Sequence, residues 1–154
     1  MSRTNQFLGY FLAHRTVTLE LVHKIEEKYY DYKPTPTSMS AKELVTHMVT
    51  AFYRFALTAK RGDATPFQEK IEPAESNLAT LAEKYTEDTK ALLASLTDEE
   101  LDRVIDLSGI FGMHIPAGKL LQLAMDHEIH HKGNLFVYVR EMGHTELPMF
   151  VKRG

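Results

Sequence analysis

Asp126-His127-Glu128-Ile129-His130-His131-Lys132-Gly133-Asn134-Leu135 carries the densest chemistry of this 154-residue chain. It lies inside a segment whose apolar periodicity is helical. Four residues on an α-helix make about 400° of rotation, so the imidazoles of His127 and His131 project from nearly one line, a turn apart. Two nitrogens so placed can bind one divalent metal. A third ligand has to come from elsewhere in the chain.

Outward along the same segment, Leu120, Ala124, His127, His131, Leu135 and Tyr138 step by four and three, a stripe on one helical face. Both histidines are therefore expected within a core stripe, where an imidazole without a partner is costly. A metal supplies one partner; hydrogen bonding to other side chains is the alternative. Pro116 suits the first turn of this helix, which should run to Glu141 or Met142 and stop at Gly143.

Three more long helical patterns precede it. Residues 4–30 carry Phe7, Leu8, Phe11, Leu12, Leu19, Val22 and Ile25 at helical spacing until Pro34 and Pro36 break the pattern. Ser40-Ala41-Lys42-Glu43 reads as a capping box opening a second helix to about Lys60, with Gly62 beyond it. A third helix is expected over 74–95, and Thr97-Asp98-Glu99-Glu100 opens a short one to about Val104. Residues 105–115 read as extended or looped, with a small hairpin as one form. Four long helices on short or medium loops predict an all-α, four-helix bundle forming a single domain over 1–154. Such bundles place metal sites between facing helices.

In the second helix Leu44, His47, Met48, Ala51 and Phe55 form a three-four stripe, so His47 is expected to point inward and is the candidate third ligand. An ordinary core histidine is the alternative there. Three histidines leave an open position for water or substrate, the catalytic rather than the structural pattern of metal ligation. His130 is expected at the edge of the stripe, as an outer-sphere group, a proton acceptor or a surface residue. Tyr138 stands about two turns beyond His131 and can donate to a substrate or serve as a core tyrosine. His14 and His23 read as structural or exposed. His114 and His144 fall in loops.

His127-Glu128-Ile129-His130-His131 also satisfies H-E-x-x-H, in which the glutamate is the general base of a zinc peptidase. The extended form of that motif needs Gly and then His at the positions filled here by Asn134 and Val137. No strand-rich segment precedes the motif to hold a peptide. Glu128 thus stays a candidate base outside a peptidase.

Composition excludes other classes. A net charge of −3 gives no basic face for nucleic acid, and the absence of Cys removes disulfides, thiolate ligands and a cysteine nucleophile. Any metal must sit on nitrogen and oxygen ligands. The polar start Met1–Gln6 lacks a signal-peptide pattern and no stretch approaches about 20 apolar residues, so a cytoplasmic protein with no membrane association is expected. Met125, Ile129 and Phe136 face away from the histidines. A helix apolar on two sides is covered on two sides, by another helix or by a second subunit, which hints at a homodimer.

The inward His47, the motif Asp-His-Glu-x-His-His-Lys-Gly-x-Leu at 126–135, and the ending Tyr138-Val139-Arg140-Glu141-Met142-Gly143 with Pro148 resemble the DinB-like family, also described as DinB/YfiT-like metalloenzymes. The resemblance spans essentially the whole chain. It implies a four-helix bundle of up-down-down-up connectivity with one divalent metal, zinc or nickel, between helices two and four. The family's ligand positions correspond to His47, His127 and His131, and its members often dimerise. Where the family more often has Gln, this chain has Asn134. Some relatives transfer a low-molecular-weight thiol such as bacillithiol onto an electrophile, and related folds isomerise maleylpyruvate with mycothiol. The expectation is a metal-dependent thiol S-transferase acting on a small molecule. The alternatives are a hydrolase using metal-activated water, with Glu128 or His130 as base, and a non-catalytic metal or small-molecule binding module.

Overall fold

The chain is described over residues 2–152 by a computed structural model. It runs α1 (Arg3–His23), α2 (Ala41–Arg61), α3 (Leu78–Ser95), the short α4 (Asp98–Asp102), β1 (Val104–Leu107), the single turn α5 (Ser108–Phe111), β2 (Met113–Pro116) and α6 (Ala117–Glu141). The four long helices form the bundle, and the two strands make an antiparallel hairpin with Ile105 opposite Ile115.

Helix starts follow local chemistry. The first amides of a helix have no intrahelical acceptor, so a side-chain oxygen must serve. Ser2 accepts from the Asn5 amide, Ser40 from Glu43, Asn77 from Thr80 and Thr97 from Glu100. The Ser40–Glu43 and Thr97–Glu100 capping boxes are both complete. At the far end of α2, Gly62 adopts φ +83°, and the Arg103 guanidinium lies against it. Arg103 Nη2 donates to the Ala59 and Lys60 carbonyls at 2.9 Å, satisfying two last-turn acceptors of α2. The left-handed backbone favours glycine there, and a Cβ, 2.5 Å from Arg103 Cζ, would also displace that guanidinium from the carbonyls it caps.

Two boundaries differ from the periodicity. The first helix stops at His23 rather than near residue 30, because the chain beyond it serves the next two helices. The Tyr30 and Tyr32 carbonyls accept from the Lys42 and Ala41 amides, and the Tyr30 hydroxyl accepts from the Leu78 amide. The third helix starts at Leu78 rather than 74, where Asn77 and Tyr30 take its first amides.

Long-range contacts set the helix directions. Thr4 Oγ1 donates to the Leu96 carbonyl, so the start of α1 meets the end of α3. Lys60 at the end of α2 reaches Ser95 at the end of α3, so these two run parallel. Tyr138 late in α6 donates to the Met39 carbonyl just before α2. Arg15 and Glu128, each about a dozen residues into its helix, pair across α1 and α6. The connectivity is therefore up-down-down-up, with α1 and α2 each packed on both α3 and α6.

The core has two apolar layers with a polar layer between them. One holds Leu21, Leu44, Met48, Leu81, Leu135 and Val139; the other holds Phe11, Phe52, Leu93, Ile105, Leu121 and Met125. Between them Arg15, Thr18, Thr86, Glu128 and Lys132 are buried. Met125 lies in the core and Ile129 and Phe136 pack partly against it, so the second apolar side of α6 is covered within the chain. Leu123 and Val137 stay exposed on that helix. Among the described residues no helix is long and apolar enough to cross a membrane.

Candidate metal centre

The fully buried line of α6 passes through Leu121, Met125, Glu128, Lys132, Leu135 and Val139. The histidine line is one step round from it. His127 and His131 are consequently half-buried, at the seam between α6 and α2, and not in the middle of the core as the stripe suggested. His47 meets them from α2 but is exposed at the rim, where an inward side chain was expected. The residue type and spacing were legible; the azimuth was displaced because the bundle centre is occupied by charged groups that a hydropathy pattern reads as surface.

The three imidazoles converge. Their ligand nitrogens all lie within 4.8 Å of one another, and His47 Nε2 is 2.9 Å from His127 Nε2. Ring centroids are 4.5–5.1 Å apart, each pair edge-on. Two ring nitrogens facing one another at that distance must share a proton or a cation, since two lone pairs would repel. Nitrogens about 2.1 Å from a tetrahedral ion lie about 3.4 Å apart, so modest side-chain rotation suits the trio to one ion. His131 Nδ1 donates to Asn134 Oδ1 over 3.2 Å. That bond fixes the tautomer with Nε2 free to ligate, the role an outer-sphere group commonly has. Asn134 thus orients His131 although it departs from the family's usual Gln.

Electrostatics favour unprotonated ligands. Burial, then the neighbouring His131 and His47, push His127 down to about 4. His47, though exposed at the rim, is partly desolvated where its ring packs on His127 and His131 and is lowered too, and burial lowers His131 against an opposing contribution from Asn134. All three rings offer lone pairs at neutral pH, as a divalent cation requires.

The other candidates are placed elsewhere. Glu128 is 0% exposed and points into the polar layer. It accepts from Arg15 Nε at 2.9 Å, Arg15 Nη2 at 2.8 Å and Thr18 Oγ1 at 2.7 Å. Its burial opposes ionisation, but the charge of Arg15 and the hydrogen bonds from Arg15 and Thr18 win and hold the carboxyl below its usual range. A carboxylate so engaged, outside the histidine trio, is not arranged to act as the expected base; it is a packing and orienting group. The Tyr138 hydroxyl is 2.7 Å from the Met39 carbonyl and the ring is buried, so it serves the core and not the open position. His130 is exposed beside His131, with ring centroids 4.8 Å apart. His14 is buried and accepts from the Lys132 ammonium. His23 pairs with Glu83 on the surface and His114 stands 3.6 Å from Asp106 in the hairpin.

Sequence reasoning missed what surrounds the trio. A cavity of about 360 Å³ borders His47 and His127 and is walled by Phe55, Phe67, Phe111, Ile71 and Arg54. These come from α2, the connection after it and α5, so no single periodic segment announces them. The visible signal was Phe55, on the same stripe as His47.

Known proteins share this arrangement of chain. The model of the DinB family matches residues 1–153. YjoA of Bacillus subtilis is 58% identical over 153 residues, 99% of each chain. The crystal structure of that DinB-like protein superposes with a TM-score of 0.91, covering 96% of this chain and 99% of the other at 57% identity. A DinB-like protein of Bacillus cereus has a TM-score of 0.70 at 21% identity, covering 93% and 94% of the two chains. YfiT of Bacillus subtilis, described as a probable metal-dependent hydrolase with an unusual four-helix bundle topology, has a TM-score of 0.64 at 17% identity over 94% and 91%. A match along the whole chain, with a relative of such high identity, places this protein in the DinB family.

Proposed function

We propose that this chain is a metal-dependent enzyme that holds one divalent ion, zinc or nickel, on His47, His127 and His131 and transfers a low-molecular-weight thiol onto an electrophile. The observation that carries the reading is the convergence of three neutral imidazoles, two of which, His47 and His127, border a largely apolar cavity. When bound, the ion supplies Lewis acidity, lowering the pKa of a thiol or water that takes its open position. The chain's own residues supply the rest. Asn134 holds the His131 ring in its ligating tautomer. The phenylalanine walls keep water from the electrophile, and burial keeps protons off the ligands. A thiol made acidic in this way needs no carboxylate base, which accords with Glu128 being engaged by Arg15 and Thr18.

Hydrolysis is the second reading. It is favoured by the description of YfiT as a probable metal-dependent hydrolase and by His130, an exposed imidazole beside His131 able to accept a proton. The two separate in one assay of zinc- or nickel-loaded protein, with and without chelator. Thiol transfer predicts chelator-sensitive consumption of a thiol by 1-chloro-2,4-dinitrobenzene, lost in His127→Ala. Turnover of p-nitrophenyl acetate without thiol, and no thiol consumption, would overturn it in favour of the hydrolase.

A further inference from the structure

The cavity beside the histidines has a chemical bias. Its wall includes three phenylalanines in mutual contact: Phe55 and Phe67 at 5.5 Å, Phe67 and Phe111 at 5.3 Å, both edge-on, and Phe55 and Phe111 at 6.5 Å with planes 18° apart. Aromatic faces and edges so arranged favour a flat apolar group. Phe111 is 45% exposed, a large apolar side chain open at the mouth.

One cation stands in this wall. Arg54 Nη2 donates to the Glu69 main-chain carbonyl at 3.1 Å, whereas the Glu69 carboxylate is engaged by Arg61 at 2.6 Å. Among the described residues Arg54 has no acidic partner, and its buried Nε has no hydrogen-bond partner. Arginine left without a carboxylate beside an apolar cavity is arranged to receive one, since its planar fork matches that group.

We infer that the substrate of this site is a small carboxylic acid anion bearing an aryl or comparably flat apolar group, its carboxylate on Arg54 and its flat group against Phe55, Phe67 and Phe111. The inference rests on the metal-centre reading only for where the reacting atom sits, beside His47 and His127. Volume accords with it: about 360 Å³ lies near the lower end of the roughly 300–1,000 Å³ of ligand pockets.

Calorimetric titration of the zinc-loaded and the chelator-treated protein with 3-phenylpropionate and with its neutral amide tests this. The acid should bind roughly tenfold or more tightly than the amide in both forms, as a charge-assisted hydrogen bond implies. Arg54→Gln should abolish that preference while leaving amide binding in place, and Arg54→Lys should retain part of it. Phe111→Ala, at an exposed position, should weaken both compounds alike. Equal binding of acid and amide, no binding of either, or a preference that survives Arg54→Gln would overturn the inference. A preference that needs zinc and not Arg54 would place the carboxylate on the metal and overturn it too. Because the chelator-treated arm reports the cavity alone, failure of the metal reading would leave this result standing.

Discussion

His127 joins fold and chemistry in one side chain. The unfolded chain takes up its proton near 6.5, and the folded chain only at about 4. Between those values the unfolded state binds more protons, so folding weakens as the pH falls through the window. Above about 6.5 this residue leaves stability unchanged, and below about 4 its contribution levels off. His47 and His131 are shifted in the same direction. Urea midpoints of the chelator-treated protein should therefore fall between about pH 6.5 and 4, and His127→Phe should fall less steeply. Coincident slopes would show that burial does not hold the ring neutral. The two histidines of α6 were legible because a four-residue step needs only helical geometry. His47 was legible as a ligand but not as a rim residue, since periodicity gives an azimuth relative to apolar neighbours and not relative to the bundle axis. Glu128 was illegible: its partner Arg15 lies 113 residues away in the chain.

At the scale of elements, the rotation of α6 about its own axis decides whether the histidines face α2. Hydrophobic contact does not specify rotation finely; a bidentate ion pair does. Arg15 and Glu128 are both 0% exposed, and Arg15 Nη1 also donates to Thr86 on α3, so three helices meet at one guanidinium. Its face lies 4.8 Å from the Phe11 ring centroid and 5.6 Å from that of Phe52. Removing one partner strands the other charge in the core. Glu128→Ala should lower stability by about 3–5 kcal/mol. The double exchange Arg15→Met with Glu128→Leu should recover much of that loss, because the guanidinium is then not stranded, while the buried Lys132, whose charge Glu128 also favours, retains the remainder. Denaturant unfolding of the two variants decides it; an equal loss in both would mean that the pair is not the source. Helix starts were readable element by element, since Ser40 and Thr97 cap within three residues. The ends of α1 and the start of α3 were not, because Tyr30 settles them from across the fold.

Over the whole molecule, four helical patterns and their loops made the bundle legible, and the resemblance supplied its connectivity. The cavity was not, because α2, the connection following it and α5 contribute one wall each, and only α2 carries a pattern, the stripe of His47 and Phe55. The same assembly brings three imidazoles from two helices together, with His47 and His127 at that cavity's edge. Metal content decides whether they form a centre. Purified protein and His127→Ala, both checked for retained helicity, should be compared by elemental analysis after loading with zinc or nickel and removal of excess. The prediction is about one divalent ion per chain in the parent and little in the variant, because a site that loses one of three imidazoles gives up most of its affinity. Undiminished metal in His127→Ala would contradict the three-histidine centre.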